Sequence, residues 1–273
     1  MITFLHNYLP NPILFQFENI KIRWYGFLMV VAIILGIYIV TKIGKKYRLS
    51  KDDIFDMAFY CILFGLIGAR IYYVLYSWSY YQNHLIDILK IWEGGLAIHG
   101  VIIGGFLTVF FFCKIKKISF GLMADVLVPA LSLGQVIGRW GNYFNQEIFG
   151  KPTNFPWGIP IEVQNRPEQY LGFQYFHPTF LYESILNIFI FIILLLLHFR
   201  RWKNQEAKVY NGNIFVVYLT LYSLVRFFME FLRTDSSPLI YGIRWAQVLS
   251  AAIIFFGIIF LAARSIKNKS LEE

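Results

Sequence analysis

The sequence predicts an all-α integral membrane protein of about seven transmembrane helices. Its N-terminus is expected outside, its C-terminus in the cytoplasm, and a polar cavity faces outward in the outer-leaflet half. Three observations predict it: a composition too apolar for a soluble domain, a recurrence of apolar runs of spanning length, and a clustering of intramembrane charge at one depth. Of 273 residues, 58% are hydrophobic and only 15% charged, with a mean hydropathy of +0.55. A soluble domain carries about 25% charged residues. The same apolar content excludes a disordered chain.

The runs fall at about 24–41, 54–76, 94–113, 121–141, 178–199, 209–233 and 244–263. Each is close to the ~20 residues that cross a ~30 Å hydrocarbon core as a helix. Residues 1–17 carry no Lys or Arg, and Pro10 and Pro12 interrupt them, so the first run is expected to be retained rather than cleaved as a leader. The fourth run is the most interrupted, by Asp125, Pro129, Gln135 and Arg139. No repeat or linker divides the chain, which reads as one transmembrane domain, 1–273, with long outward segments at about 77–93 and 142–177.

Charge sets the orientation. Lys42, Lys45, Lys46, Arg48 and Lys51 follow the first run, and Lys114, Lys116 and Lys117 the third. Arg200, Arg201, Lys203 and Lys208 follow the fifth; Arg264, Lys267 and Lys269 close the chain. The alternate segments hold far fewer, and the positive-inside rule then places the N-terminus outside. The net charge of +9 is therefore mostly a topological label and calls for no nucleic acid. Cys61 and Cys113 sit within apolar runs and read as small hydrophobes.

Charge inside the membrane costs at least ~2.5–3.5 kcal/mol per group, so it marks function by default. Under this topology Arg70, Arg139, Arg226, Glu230, Arg233, His99, Glu183 and Tyr25 all fall in the outer half, which points to one outward cavity. Arg226, Glu230 and Arg233 stand at i, i+4 and i+7 and are expected on one helical face; Gln135, Arg139 and Asn142 repeat the pattern. Taken alone, Arg226 and Glu230 read as a structural ion pair, and Arg244 as a residue snorkelling to the interface. Several guanidinium groups with fewer carboxylates suit the phosphate of an anionic lipid headgroup, which Arg grips bidentately. No HExxH, DxxD or Cys ligand set is present, nor a GxSxG elbow, so no metal or other cofactor is expected. A transporter or scramblase is the competing class. The transporter, for an anionic lipid or solute, would want polar residues through both leaflets, whereas the inner halves are almost purely apolar. A scramblase would explain the arginines but not the Asn and Glu residues at 142–147.

Gly138-Arg139-Trp140-Gly141-Asn142-Tyr143-Phe144-Asn145-Gln146-Glu147-Ile148-Phe149-Gly150 resembles the GRxGNFxNxExxG signature of bacterial phosphatidylglycerol–prolipoprotein diacylglyceryl transferases. Arg23-Trp24-Tyr25-Gly26, Gly68-Ala69-Arg70, Gly94 to Gly100, His177 to Glu183 and Arg226 to Arg233 follow in the family's order. Tyr143 stands where the family usually has Phe, and Val101 where it has Gly. The resemblance covers nearly the whole chain and implies a multi-pass enzyme of the bacterial cytoplasmic membrane. Its partners would be phosphatidylglycerol and a prolipoprotein signal peptide with a lipobox cysteine; its product, besides the thioether, would be glycerol phosphate. With that chemistry, His99, Arg139, Arg226 and Tyr25 are the expected catalytic residues, and Arg70, Asn142, Asn145, Glu147, Gly150, Glu230 and Arg233 the expected substrate-binding ones. His99 is the natural base by its intrinsic pKa, with Glu147 or Glu230 as the alternative.

Overall fold

A computed structural model describes residues 2–18, 20–203, 212–235 and 237–272, with backbone alone at 2, 3, 20 and 267–272. Lys208, the first residues of the sixth predicted run (209–211), and the side chains of Lys267 and Lys269 lie outside the described residues. The chain is mostly helical. A short helix α1 (Ile2–Asn7) and a hairpin of β1 (Ile13–Phe17) and β2 (Ile20–Arg23) precede α2 (Trp24–Lys46) and α3 (Lys51–Tyr76). A one-turn helix α4 (Trp78–Tyr81) leads to α5 (Ile98–Lys116) and α6 (Phe120–Phe144). Strands β3 (Ile159–Pro160) and β4 (Tyr175–Phe176) pair before α7 (Thr179–Lys203) and α8 (Asn213–Met229). A last hairpin, β5 (Leu239–Ile240) and β6 (Ile243–Arg244), opens α9 (Trp245–Glu272).

Six of these helices are long and apolar enough to cross a membrane: α2, α3, α5, α6, α7 and α9 over Trp245–Ile266. The sixth predicted run appears as α8, apolar but only 17 residues long, at the lower limit for a span. Local chemistry sets the helix ends. Ser50 caps α3 by accepting from the Asp52 amide, with Asp52 and Asp53 in the first turn, where negative charge suits the helix dipole. Lys45 and Lys46 close α2, and Arg200, Arg201 and Lys203 close α7.

Two compact units emerge: Met1–Ile39, Leu127–Glu206 and Asn213–Glu273 in one, Val40–Val126 and Ala207–Gly212 in the other. Two of the boundaries fall inside α2 and α6, where no linker could mark them in the sequence. In the second unit α3 and α5 cross backbone to backbone, a Cβ on Gly68 standing 2.5 Å from the Gly100 carbonyl oxygen. In the first, Val128, Ile190, Leu194, Ile214 and Tyr218 form an apolar core among α6, α7 and α8. Ser132 donates to the Asn187 carbonyl (3.0 Å) and Ser184 to that of Val136 (3.1 Å), polar links of the kind that hold apolar helices together in lipid. A second core of Leu5, Tyr143, Phe149, Ile159, Ile161, Phe176 and Phe180 gathers α1, the end of α6 and the β3–β4 hairpin. Elsewhere large apolar side chains such as Phe55, Phe59, Phe106, Phe255 and Phe256 stand exposed along the helices, as lipid-facing surfaces do.

Candidate active site

The first unit assembles most of the predicted site around the end of α6, the start of α7 and the turn after α8. The signature segment leaves α6 at Phe144, and two left-handed residues, Gln146 (φ 53°) and Ile148 (φ 56°), redirect it. Gln146 anchors it: its side-chain amide donates to the Pro10 carbonyl (2.8 Å) and its oxygen accepts from the Glu162 backbone amide (2.8 Å). Tyr143 is buried, its hydroxyl facing the Tyr8 carbonyl at 3.5 Å. Arg139 Nη1 reaches Asn142 Oδ1 at 3.4 Å; the amides of Asn142 (2.8 Å) and Asn145 (3.2 Å) both donate to Glu147 Oε1. Glu147 thus orients two asparagines, one of which touches Arg139. The Tyr25 ring lies against the α6 backbone at Gly141, where a Cβ would stand 2.5 Å from it.

The predicted face of Arg226, Glu230 and Arg233 is corrected by the structure. Helix α8 ends at Met229, so only Arg226 is helical. Arg233 is delivered instead by an antiparallel bridge to Gly150, supported by the Lys151 amide on the Leu232 carbonyl (2.8 Å). Gly150 is required there: a Cβ would stand 2.7 Å from His177 Cβ and 2.9 Å from Thr179 Cγ2. Arg233 is buried, with Nε on Asp235 Oδ1 (2.9 Å) and Nη1 on Glu183 Oε1 (3.5 Å), rather than free for phosphate or water.

Buried carboxylates bind the cluster together. Glu183, the fifth residue of α7, pairs through Oε2 with Arg139 and through Oε1 with Arg233. Glu230 meets Arg226 Nη2 through Oε2 and Arg244 Nε through Oε1, both at 2.9 Å. Arg244 therefore does not snorkel; it faces inward because its hairpin turns it onto Glu230. Four guanidinium groups (Arg139, Arg226, Arg233, Arg244) share three carboxylates (Glu183, Glu230, Asp235), leaving positive charge in surplus. Among the described residues, two buried donors, Arg139 Nε and Arg226 Nη1, have no hydrogen-bond partner. Unsatisfied charged donors are costly in a protein interior, so these two are the places where an anion gains most.

Arg70 and His99 belong to the other unit. Arg70 directs its donors at backbone carbonyls: Nε donates to that of Ile88 (2.8 Å), Nη1 to those of Gly94 (2.8 Å) and Gly95 (2.9 Å), and Nη2 to that of Asp87. It pins the segment that leads into α5. His99, second residue of α5, is exposed and stacks on Tyr72 with centroids 5.3 Å apart.

Sequence reasoning singled out Glu183 without a role, read Arg244 as snorkelling rather than as a partner of Glu230, and missed Asp235. The sign for Glu183 was a lone carboxylate opening an apolar run. Nothing local marked the other two, because a hairpin and a turn bring them in. Among the described residues, no group of three or more His, Cys, Asp or Glu could hold a metal ion.

The prolipoprotein diacylglyceryl transferase family model matches residues 12–263. Among curated proteins, the chain is 43% identical over 265 residues to a phosphatidylglycerol–prolipoprotein diacylglyceryl transferase of Nostoc sp., covering 97% of this chain and 93% of that protein. It is 45% identical to the transferase of Acaryochloris marina (97% and 94% covered) and 44% identical to that of Synechocystis sp. (91% and 87% covered).

Proposed function

The chain belongs to the prolipoprotein diacylglyceryl transferase family, and from that premise we propose that it transfers the diacylglyceryl group of phosphatidylglycerol to the lipobox cysteine of a prolipoprotein. The setting is a bacterial cytoplasmic membrane crossed seven times, α8 being the short crossing, with the N-terminus and the arginine cluster toward the outside. One observation carries the reading beyond family membership: a cluster with surplus guanidinium charge that keeps two buried donors, Arg139 Nε and Arg226 Nη1, without partners. Such donors suit a lipid phosphate.

The chemistry follows from the charges. The cysteine sulfur attacks the glyceryl carbon that carries the phosphate ester. The C–S bond forms as the C–O bond breaks, and the electron pair leaves on the oxygen of glycerol phosphate. Arg139 and Arg226 stabilise that developing charge in a water-poor site, where fixed donors act most strongly. A thiol with a reference pKa near ~8.5 must lose its proton to become a good nucleophile. His99 takes it. Glu147, which already accepts two amides, and Glu230, held between two guanidinium groups, are committed to positioning, and this favours the histidine.

The test is direct. Purified protein, incubated with phosphatidylglycerol and a lipobox peptide, should raise the peptide mass by one diacylglyceryl unit and release glycerol phosphate in equal amount. No mass gain with folded protein would refute the assignment.

A further inference from the structure

Arg244 makes more contacts than any structural need at a hairpin end requires. It ends β6 and immediately precedes α9. Its Nη1 donates to the carbonyls of Glu230 (3.2 Å) and Arg233 (2.9 Å), and Nη2 to that of Asp235. These bonds close the turn over 230–235, and a neutral donor could make some of them. The remaining contact is different in kind. Nε stands 2.9 Å from Glu230 Oε1, while Oε2 stands 2.9 Å from Arg226 Nη2. Glu230 is 1% exposed, so its single charge is divided between two guanidinium groups with little help from water.

We propose that Arg244 is a positioning residue that sets the affinity of the site for the phosphate of its lipid substrate. It does so by holding one oxygen of Glu230, which keeps Arg226 only half neutralised. The inference rests on the function proposed above. A lone carboxylate beside a lone arginine closes into a two-bond fork, the preferred geometry of that pair. Arg244 prevents the fork here. Neither Glu230 oxygen makes an aligned hydrogen bond, and Arg226 Nη1 stays without a partner. Remove the guanidinium at 244, and Glu230 can swing fully onto Arg226, taking the donor that phosphate would otherwise use.

The experiment uses the full chain in detergent, with racemic glycerol phosphate as the probe, and reads binding by calorimetry alongside KM and kcat. In R244Q the Kd for glycerol phosphate should rise about tenfold, the worth of one charge-assisted hydrogen bond. KM for phosphatidylglycerol should rise in parallel, with kcat changed much less. R244K keeps a cation but cannot span three carbonyls and Glu230 at once, so it should fall between R244Q and the parent. The diagnostic variant is E230Q/R244Q: with the competing carboxylate neutralised, Arg226 is released and binding should recover from the R244Q value. If Arg244 only braces the turn, E230Q adds a second loss, and R244Q lowers Tm with Kd unchanged; either result overturns the proposal. Should R244Q fail to fold, a Kd for R244K equal to the parent's overturns it as well. The parent titration is separate: no binding of glycerol phosphate by the parent chain removes the phosphate-site reading itself, and this inference with it.

Discussion

Glu183→Gln isolates the central strut of the cluster. The carboxylate is 1% exposed and bridges Arg139 and Arg233. Its loss falls unevenly. Arg233 keeps Asp235 at 2.9 Å, whereas Arg139 keeps only Asn142 at 3.4 Å. Breaking a buried pair by removing one partner costs about 3–5 kcal/mol. Gln retains one acceptor for a guanidinium, which puts the expected loss at the lower end, about 3 kcal/mol. At roughly 2–4 °C per kcal/mol for a chain of this size, Tm should fall by about 6–12 °C. Turnover should fall further than stability explains, because a misplacement of about 1 Å can cost about a hundredfold. The assay is thermal unfolding in detergent together with turnover per folded molecule. Glu183→Asp, which keeps the charge, should recover part of both. A Tm within about 2 °C of the parent's with turnover intact would refute the strut.

Arg139→Lys should insert and fold yet lose most activity, since ammonium keeps the charge without the planar fork that spans Glu183, Asn142 and phosphate; near-normal turnover would remove Arg139 from the phosphate clamp. Gly150→Ala should lower stability by about 1–3 kcal/mol, because the added Cβ meets His177 and Thr179 at 2.7 and 2.9 Å and loosens the bridge that delivers Arg233; unchanged unfolding and turnover would contradict this. Burial holds the His177 pKa below its usual value, and the neutral ring faces the Tyr182 hydroxyl at 3.2 Å, which itself accepts from Trp157 (2.7 Å). The unfolded chain then binds the proton more readily, so this group costs nothing above about pH 6.5 and destabilises increasingly as pH falls below it. His177→Gln should flatten that acid slope in unfolding measured between pH 5 and 8, and an unchanged slope would exclude His177 as its source.

The helices were legible because lipid imposes length and composition together. Every predicted run of spanning length has a helix, with ends that differ by a few residues except at the C-terminal end of α9, which runs on to Glu272. Legibility failed where a contact between distant parts of the chain overrode a local pattern. The spacing of Arg226, Glu230 and Arg233 is helical, and the run to 233 stays apolar, yet the helix stops at Met229 because Leu232 and Arg233 pair with Lys151 and Gly150. Arg70 differs in kind. An intramembrane arginine looks the same in sequence whether its donors serve a lipid phosphate or four carbonyls, and only the path of 87–95 separates the two.

On the proposed function, that distinction separates the arginines with a donor to spare from those without. A guanidinium offers five donors, and what matters for catalysis is how many the fold leaves over. Arg70 directs every nitrogen at backbone carbonyls, and Arg244 directs its three at Glu230 and three carbonyls. Arg233 is held between Asp235 and Glu183. Of this set, Arg139 and Arg226 alone hold a buried nitrogen without a partner among the described residues. Each is tied by a single carboxylate, Glu183 or Glu230, which a second arginine also holds. The second arginine draws charge away from the carboxylate and leaves the first one hungry for an anion. An arginine pair sharing one buried carboxylate is therefore the unit of this site, used twice, and it explains why so many cations sit in a cluster that offers so few free donors.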